Sequence, residues 1–182
     1  MKTLMYLILA GSLCYIPKAT TTDITKTEVT VQNEQLISNM IRKVQPNISA
    51  VKAGHLAKIV YRNSVEFKLD PKILIAIIAT ESNFRNEMIS STGDFSMAQI
   101  NFKIWNKEFQ RLGLPRLDMK LLKHNEHYGI YKLAKILSIL KTRYQKADQH
   151  WYASYHSQTP NLKGIYRNKL NFHLNSMKTV SL

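Results

Sequence analysis

An all-α domain is what this 182-residue chain predicts, and three observations predict it. Apolar residues recur at helical spacing over most of the length. No stretch alternates polar and apolar for long enough to make a useful strand. Asp70-Pro71 and Pro46 stand where helices should start and stop. The length suits one domain plus a leader, with enough mass for a proper core. Internal repeats and low-complexity tracts are absent from the sequence.

Residues 1–19 read as a secretory signal peptide. Lys2 supplies a short positive region and residues 3–16 an apolar one, interrupted by Gly11-Ser12. That run falls just short of spanning length, so no stable membrane span is expected once it is removed. Cleavage after Cys14 or near Ala19 fits, and Ala19 is favoured; a retained N-terminal anchor helix is the alternative. Cys14 is the single cysteine. Bulky Leu13 before it argues against lipidation, and removal of the leader would leave a protein without disulfides.

Residues 20–48 should form a flexible segment and a first helix. Positions 20–32 are polar and Thr-rich, without a period, and predict a mobile mature N-terminus. Leu36, Ile37, Met40, Ile41 and Val44 then give a helix over 34–44, ended by Pro46. The principal domain covers 49–178. An amphipathic helix is expected over 49–69, with Val51, Leu56, Ile59, Val60, Val65 and Phe67 in the core.

Asp70-Pro71 opens the next helix, over 71–82: Asp accepts from free N–H groups and Pro fits the first turn. Its body, ILIAIIAT, is apolar on every face and should be buried all round. Ser-Ser-Thr-Gly-Asp chemistry makes 83–95 a loop along one edge of a cleft. Short helical pieces follow at 97–100 and 102–112, and Gly113-Leu114-Pro115 breaks the chain. A long amphipathic helix spans 125–145, another short one 148–155, and a last one 161–177.

Glu81 ends the apolar helix. The macrodipole disfavours a negative charge there, and apolar walls disfavour ionisation. Both raise the pKa and make a carboxylic acid that can donate a proton near neutral pH. The plainer alternative is a helix-end Glu pointing into water.

Charge bounds the partners. Lys and Arg number 26 against 12 Asp and Glu, for a net +14; removing residues 1–19 takes away Lys2 and Lys18 and leaves +12. A basic surface concentrates polyanions. The cations are scattered, with no Arg-rich block and no nucleic-acid-binding signature, so a nucleic-acid partner is not expected; with export, the anionic cell wall is the better candidate. A generally solvated basic surface is the other reading.

Three motifs bring the chain closer to a known family. Glu81-Ser82-Asn83-Phe84 is followed by Ser91-Thr92-Gly93-Asp94-Phe95-Ser96-Met97-Ala98-Gln99-Ile100-Asn101, and much later by Ala153-Ser154-Tyr155-His156-Ser157. In this order the chain resembles the lysozyme-like lytic transglycosylases of the soluble (SLT) domain type, over about residues 50–170. The family usually has Gly-Leu-Met-Gln at Ser96–Gln99 and Ala-x-Tyr-Asn-x-Gly at Ala153–Gln158. Glu81, Gln99 and Tyr155 keep the pattern, and the departures bear on how saccharides fit.

The resemblance implies a lysozyme-like all-α fold and cleavage of the β-1,4 bond between N-acetylmuramic acid and N-acetylglucosamine in peptidoglycan. It implies Glu81 as a single acid and base, assisted by the substrate's N-acetyl group, with a 1,6-anhydromuramyl product and no water consumed. Substrate assistance removes the need for a second acid. Asp94, the candidate for one, has a Gly-Asp context that suits a turn-stabilising role better.

Tyr155 is implied as the phenol that hydrogen-bonds and orients Glu81; burial among Trp151 and Tyr152 is the alternative. Ser82, Met97, Gln99, Asn101 and His156 are the implied substrate-binding residues. Ser82 could equally bond its own helix, and Met97 could equally be core. Gln99 offers an amide to N-acetyl or hydroxyl groups, and His156 stands where the family has Asn.

No cofactor and no metal site are expected. The six His lack metal spacing, His124 and His127 having only Glu126 beside them; a thiol nucleophile and a phosphate-binding Gly-rich loop are also missing. Peptidoglycan strands are the expected partner, with periplasmic or extracellular action in general wall remodelling or beside a secretion or conjugation apparatus. A lysozyme-type hydrolase and a non-catalytic wall-binding module are the rival readings. Retention of Glu81, Gln99 and Tyr155 together disfavours the binding module, since binding alone does not need an acid in an apolar pocket.

Overall fold

The computed structural model describes residues 21–180; the expected leader, including Cys14, lies outside the described residues. Helix α1 (Thr21–Val44) leads into α2 (Ala50–Phe67) and α3 (Pro71–Ser82). A minimal ribbon, β1 (Asp94–Phe95) and β2 (Ile100–Asn101), follows. Then come α4 (Phe102–Arg111), α5 (Met119–His124) and α6 (Glu126–Tyr144). A 3-10 turn at Trp151–Tyr155 precedes α7 (Pro160–Ser176). The all-α expectation holds, and no helix of the described residues is long and apolar enough to cross a membrane.

The core is built around α3. Asp70 accepts from the Lys72 amide at 2.8 Å and Pro71 fills the first turn, so the helix starts where the sequence puts it. Leu74, Ile75, Ala76, Ile77 and Ile78 are all buried, each large aliphatic stabilising the fold by about 1.5–3 kcal/mol. Asn83 ends the helix with φ at 52°, a left-handed turn that Asn tolerates. The chain therefore turns sharply one residue after Ser82, and Glu81 is left at the rim of the core.

Two expectations along the first helices are corrected. The segment 20–32, expected to be mobile, is already helical from Thr21 and continues the turns whose Ile37, Met40 and Ile41 are buried. In α2 the buried stripe is Ala53, Leu56, Ala57, Val60 and Ser64, which leaves Val51 and Val65 exposed at 85% and 60%.

Helix α6 begins with Asn125 accepting from the Tyr128 amide at 2.9 Å. It buries Ile130, Leu133, Ala134, Ile136, Leu137 and Leu140. An ion pair from Arg143 to Glu108 joins it to α4, and the Lys132 ammonium lies 5.6 Å from the Phe109 ring centre. The short helix expected over 148–155 is a single 3-10 stretch. In place of the helical piece expected at 97–100, the chain makes a turn and enters β2.

The ribbon pairs Asp94 with Asn101 and Phe95 with Ile100, antiparallel. Its connecting turn contains two residues with left-handed backbones, Ser96 (φ 71°) and Gln99 (φ 48°). Ser96, Met97 and Ala98 are fully buried, because this turn is pressed against α6 at Gly129. Any side chain there would put its Cβ 3.0 Å from the Cβ of Ser96. Glycine is thus what permits this approach.

Candidate active site

Glu81 is half-buried at the end of α3, with Ser82 and Ala79 buried on either side. Tyr166, from the second turn of α7, donates its hydroxyl to Glu81 Oε1 at 2.6 Å. Burial pushes the Glu81 carboxyl up; the Tyr166 hydrogen bond pulls it back, the charge of Asp94 adds and that of Lys169 subtracts. The result is a carboxyl raised from 4.5 to about 7. Such a group is protonated in a large fraction of molecules at neutral pH and can act as an acid, then as a base. Burial is the dominant cause, as the apolar helix predicts.

Tyr155 does not make the bond expected of it. Its hydroxyl donates to the carbonyl of Ala98 at 2.7 Å, which ties the 3-10 turn to the Ser96–Gln99 turn. It remains within electrostatic range of Glu81: burial first, then the charges of Glu81 and Asp94, hold its phenol well above the ordinary value. Tyr166 takes the place beside the carboxyl instead. Burial and the charge of Glu81 likewise keep its phenol neutral, so it stays a donor.

Asp94 is fully engaged by the preceding loop and the ribbon. Its Oδ2 accepts from Ser90 and Thr92, both at 2.6 Å, and its Oδ1 from Asn101 at 2.7 Å. Burial pushes this carboxyl up, but the three hydrogen bonds and the charge of His156 outweigh it, and it ends below its ordinary value. The expected turn role of Asp94 matches these bonds. Asn101, expected on the substrate, holds Asp94 and also accepts from the Ile104 amide at 3.0 Å as the cap of α4.

Two other expected contacts face inward. Ser82 is buried and its hydroxyl donates to Ile78 of its own helix at 3.2 Å, the usual satisfaction of a helical Ser. Met97 is fully buried core. Gln99 is half-buried and donates its amide to the carbonyls of Ser96 (2.9 Å) and Met88 (3.2 Å), bracing the turn against the 83–93 loop. His156 is exposed and stacks on the Tyr166 ring, with centres 4.8 Å apart and planes 14° from parallel.

Sequence reasoning missed Tyr166. It lies in a predicted helix, at the same face as Leu170 one turn on, but nothing local marks it as the partner of a residue on α3. Grooves elsewhere on the surface, one lined by Leu112, Ile139 and Arg143 and another by Asp148, His150 and Arg167, do not include Glu81.

An all-α fold that holds a shielded, phenol-bonded carboxyl at a helix end has the equipment for proton-transfer chemistry. Residues 59–169 match the family model of the transglycosylase SLT domain. The chain belongs to that family, which acts on peptidoglycan and is associated with lytic transglycosylase activity. No curated protein matches the chain.

Proposed function

We propose that this protein is an exported lytic transglycosylase that cuts the N-acetylmuramic acid to N-acetylglucosamine bond of peptidoglycan, with Glu81 as its single acid and base. The observation that carries the reading is the Glu81 carboxyl, raised to about 7 by burial and hydrogen-bonded by Tyr166. Protonated, it delivers its proton to the leaving glycosidic oxygen while the substrate's N-acetyl oxygen assists departure at the anomeric carbon. The carboxylate left behind takes the proton of the muramyl 6-hydroxyl, which closes the 1,6-anhydro ring. The proton lost in the first step is regained in the second, and no water enters.

Asp94 supports this single-acid scheme by its engagement: with three donors on its two oxygens, it acts on Glu81 through charge alone. Ionised, it helps to keep Glu81 protonated. Gln99, through its carbonyl oxygen, is the expected residue we assign to saccharide contact, and Tyr155 supports the turn that carries it. The predicted leader supports export to the periplasm or beyond, and the basic surface suits an anionic wall. Local opening of the wall for a secretion or conjugation apparatus is a role open to such an activity, beside general remodelling.

Mass spectrometry of muropeptides released from purified sacculi tests the reading. Anhydro products, each one water lighter than hydrolysis products, are expected. Reducing ends would establish the hydrolase, with a positioned water in place of the 6-hydroxyl.

A further inference from the structure

The phenol that hydrogen-bonds Glu81 is itself covered on one face. Tyr166 is 3% exposed, yet its ring has the exposed imidazole of His156 stacked on it, centre to centre 4.8 Å and nearly parallel. The two residues come from different elements. His156 closes the 3-10 turn, and Tyr166 lies on α7, which Pro160 starts four residues after His156. The stack therefore fixes the angle of the phenol across the junction of those two elements. A phenol has two soft torsions, and a hydrogen bond of 2.6 Å to a carboxylate needs both set.

We propose that His156 is a positioning residue, whose ring covers one face of Tyr166 and keeps the Tyr166 hydroxyl on the Glu81 carboxyl. The inference rests on the transglycosylase reading for its kinetic consequence, and on the geometry alone for its structural one. Where the family usually has Asn, this chain has an aromatic ring, and only a ring can stack in this way. The role differs from saccharide contact. A sugar-binding His would act on substrate affinity, whereas a positioning His acts on the state of Glu81 before substrate arrives.

Two neutral variants separate these possibilities. His156→Ala removes the ring and His156→Phe keeps it, and both remove the charge that bears on Asp94. The groups facing Glu81 are Tyr166 and Lys169 from α7, Asp94 from β1 and Tyr155 from the 3-10 turn, and neither substitution changes them. Because the Tyr166 bond lowers the Glu81 pKa, His156→Ala should raise it, as followed by the carbon NMR shift of the side-chain carboxyl in the protein without substrate. His156→Phe should leave it near the wild-type value.

On sacculi, kcat should fall about two- to tenfold in His156→Ala with KM little changed, and its alkaline limb should move to higher pH. His156→Phe should recover most of the loss. An unmoved Glu81 titration in His156→Ala overturns the proposal whatever the activity. So does a loss in His156→Phe equal to that in His156→Ala, or one carried wholly by KM. Failure of the transglycosylase reading looks different: Glu81→Gln would then cut normally or the products would carry reducing ends, while the NMR result would stand.

Discussion

Gly129 and Ser96 touch across the interface of α6 and the ribbon turn so closely that the space admits one Cβ, and Ser96 supplies it. Gly129→Ala should therefore destabilise the protein by about 1–2 kcal/mol, overpacking outweighing the helix propensity that Ala gains. Ser96→Gly in the same chain should recover at least half of that loss, because it removes the opposing atom and relieves a left-handed backbone at φ 71°. Urea unfolding of the four proteins of this double-mutant cycle measures the coupling. Additive effects would show that the two residues do not share the space.

Glu81→Gln should abolish cleavage while folding and sacculus binding survive, since the amide is nearly isosteric and has no acidic proton. In the wild type, activity should decline as pH rises through about 7, where the carboxyl loses the proton it must donate. Asp94→Asn should keep most of the activity. A loss as large as that of Glu81→Gln would make Asp94 a second catalytic carboxylate.

The same carboxyl should cost stability. Its folded pKa lies above its ordinary value of 4.5, so the folded protein holds a proton that the unfolded chain releases. The associated stability is full below about 4.5 and is lost as pH rises towards about 7. Glu81→Gln removes this dependence. At pH about 8 the variant should be more stable than the wild type by about 1–3 kcal/mol, with little difference in acid. Unfolding curves at the two pH values check the sign.

The two tyrosines should separate cleanly. Tyr166→Phe removes a hydrogen bond to the carboxyl and should lower kcat about ten- to a hundredfold, with Glu81 titrating higher. Tyr155→Phe loses only the Ala98 bond; it should lower stability by about 1 kcal/mol and leave the Glu81 titration nearly in place. The reverse ranking would restore Tyr155 to the carboxyl.

Binding to intact sacculi should weaken as salt rises, since exposed charges are screened beyond about 10 Å at 0.1 M ionic strength. Turnover of short neutral fragments should respond much less. Salt-independent sacculus binding together with tight, steeply salt-dependent binding of duplex DNA would assign the basic surface to nucleic acid.

Local chemistry made the helices legible. Asp70-Pro71 opens α3 as read, because caps act within a few residues. Met119–His124 was not legible, being a single short helix without a period, nor were strands of two residues. Val51 and Val65 misled because apolar character alone does not say which stripe of α2 faces the core. Glu81 could be read from its position after an apolar run. Tyr166 could not, since its partner lies 85 residues away and only the packing of α7 on α3 brings them together.

That separation has a consequence for how the site is completed. A chain made from its N-terminus carries Glu81, the ribbon and the whole of α6 before α7 exists. Until α7 docks, the carboxyl has no phenol hydrogen-bonded to it and one side of its shelter is missing. A chain truncated ahead of residue 166 would keep the acid and lose the phenol that aligns it, so on the proposed mechanism cutting competence waits for α7.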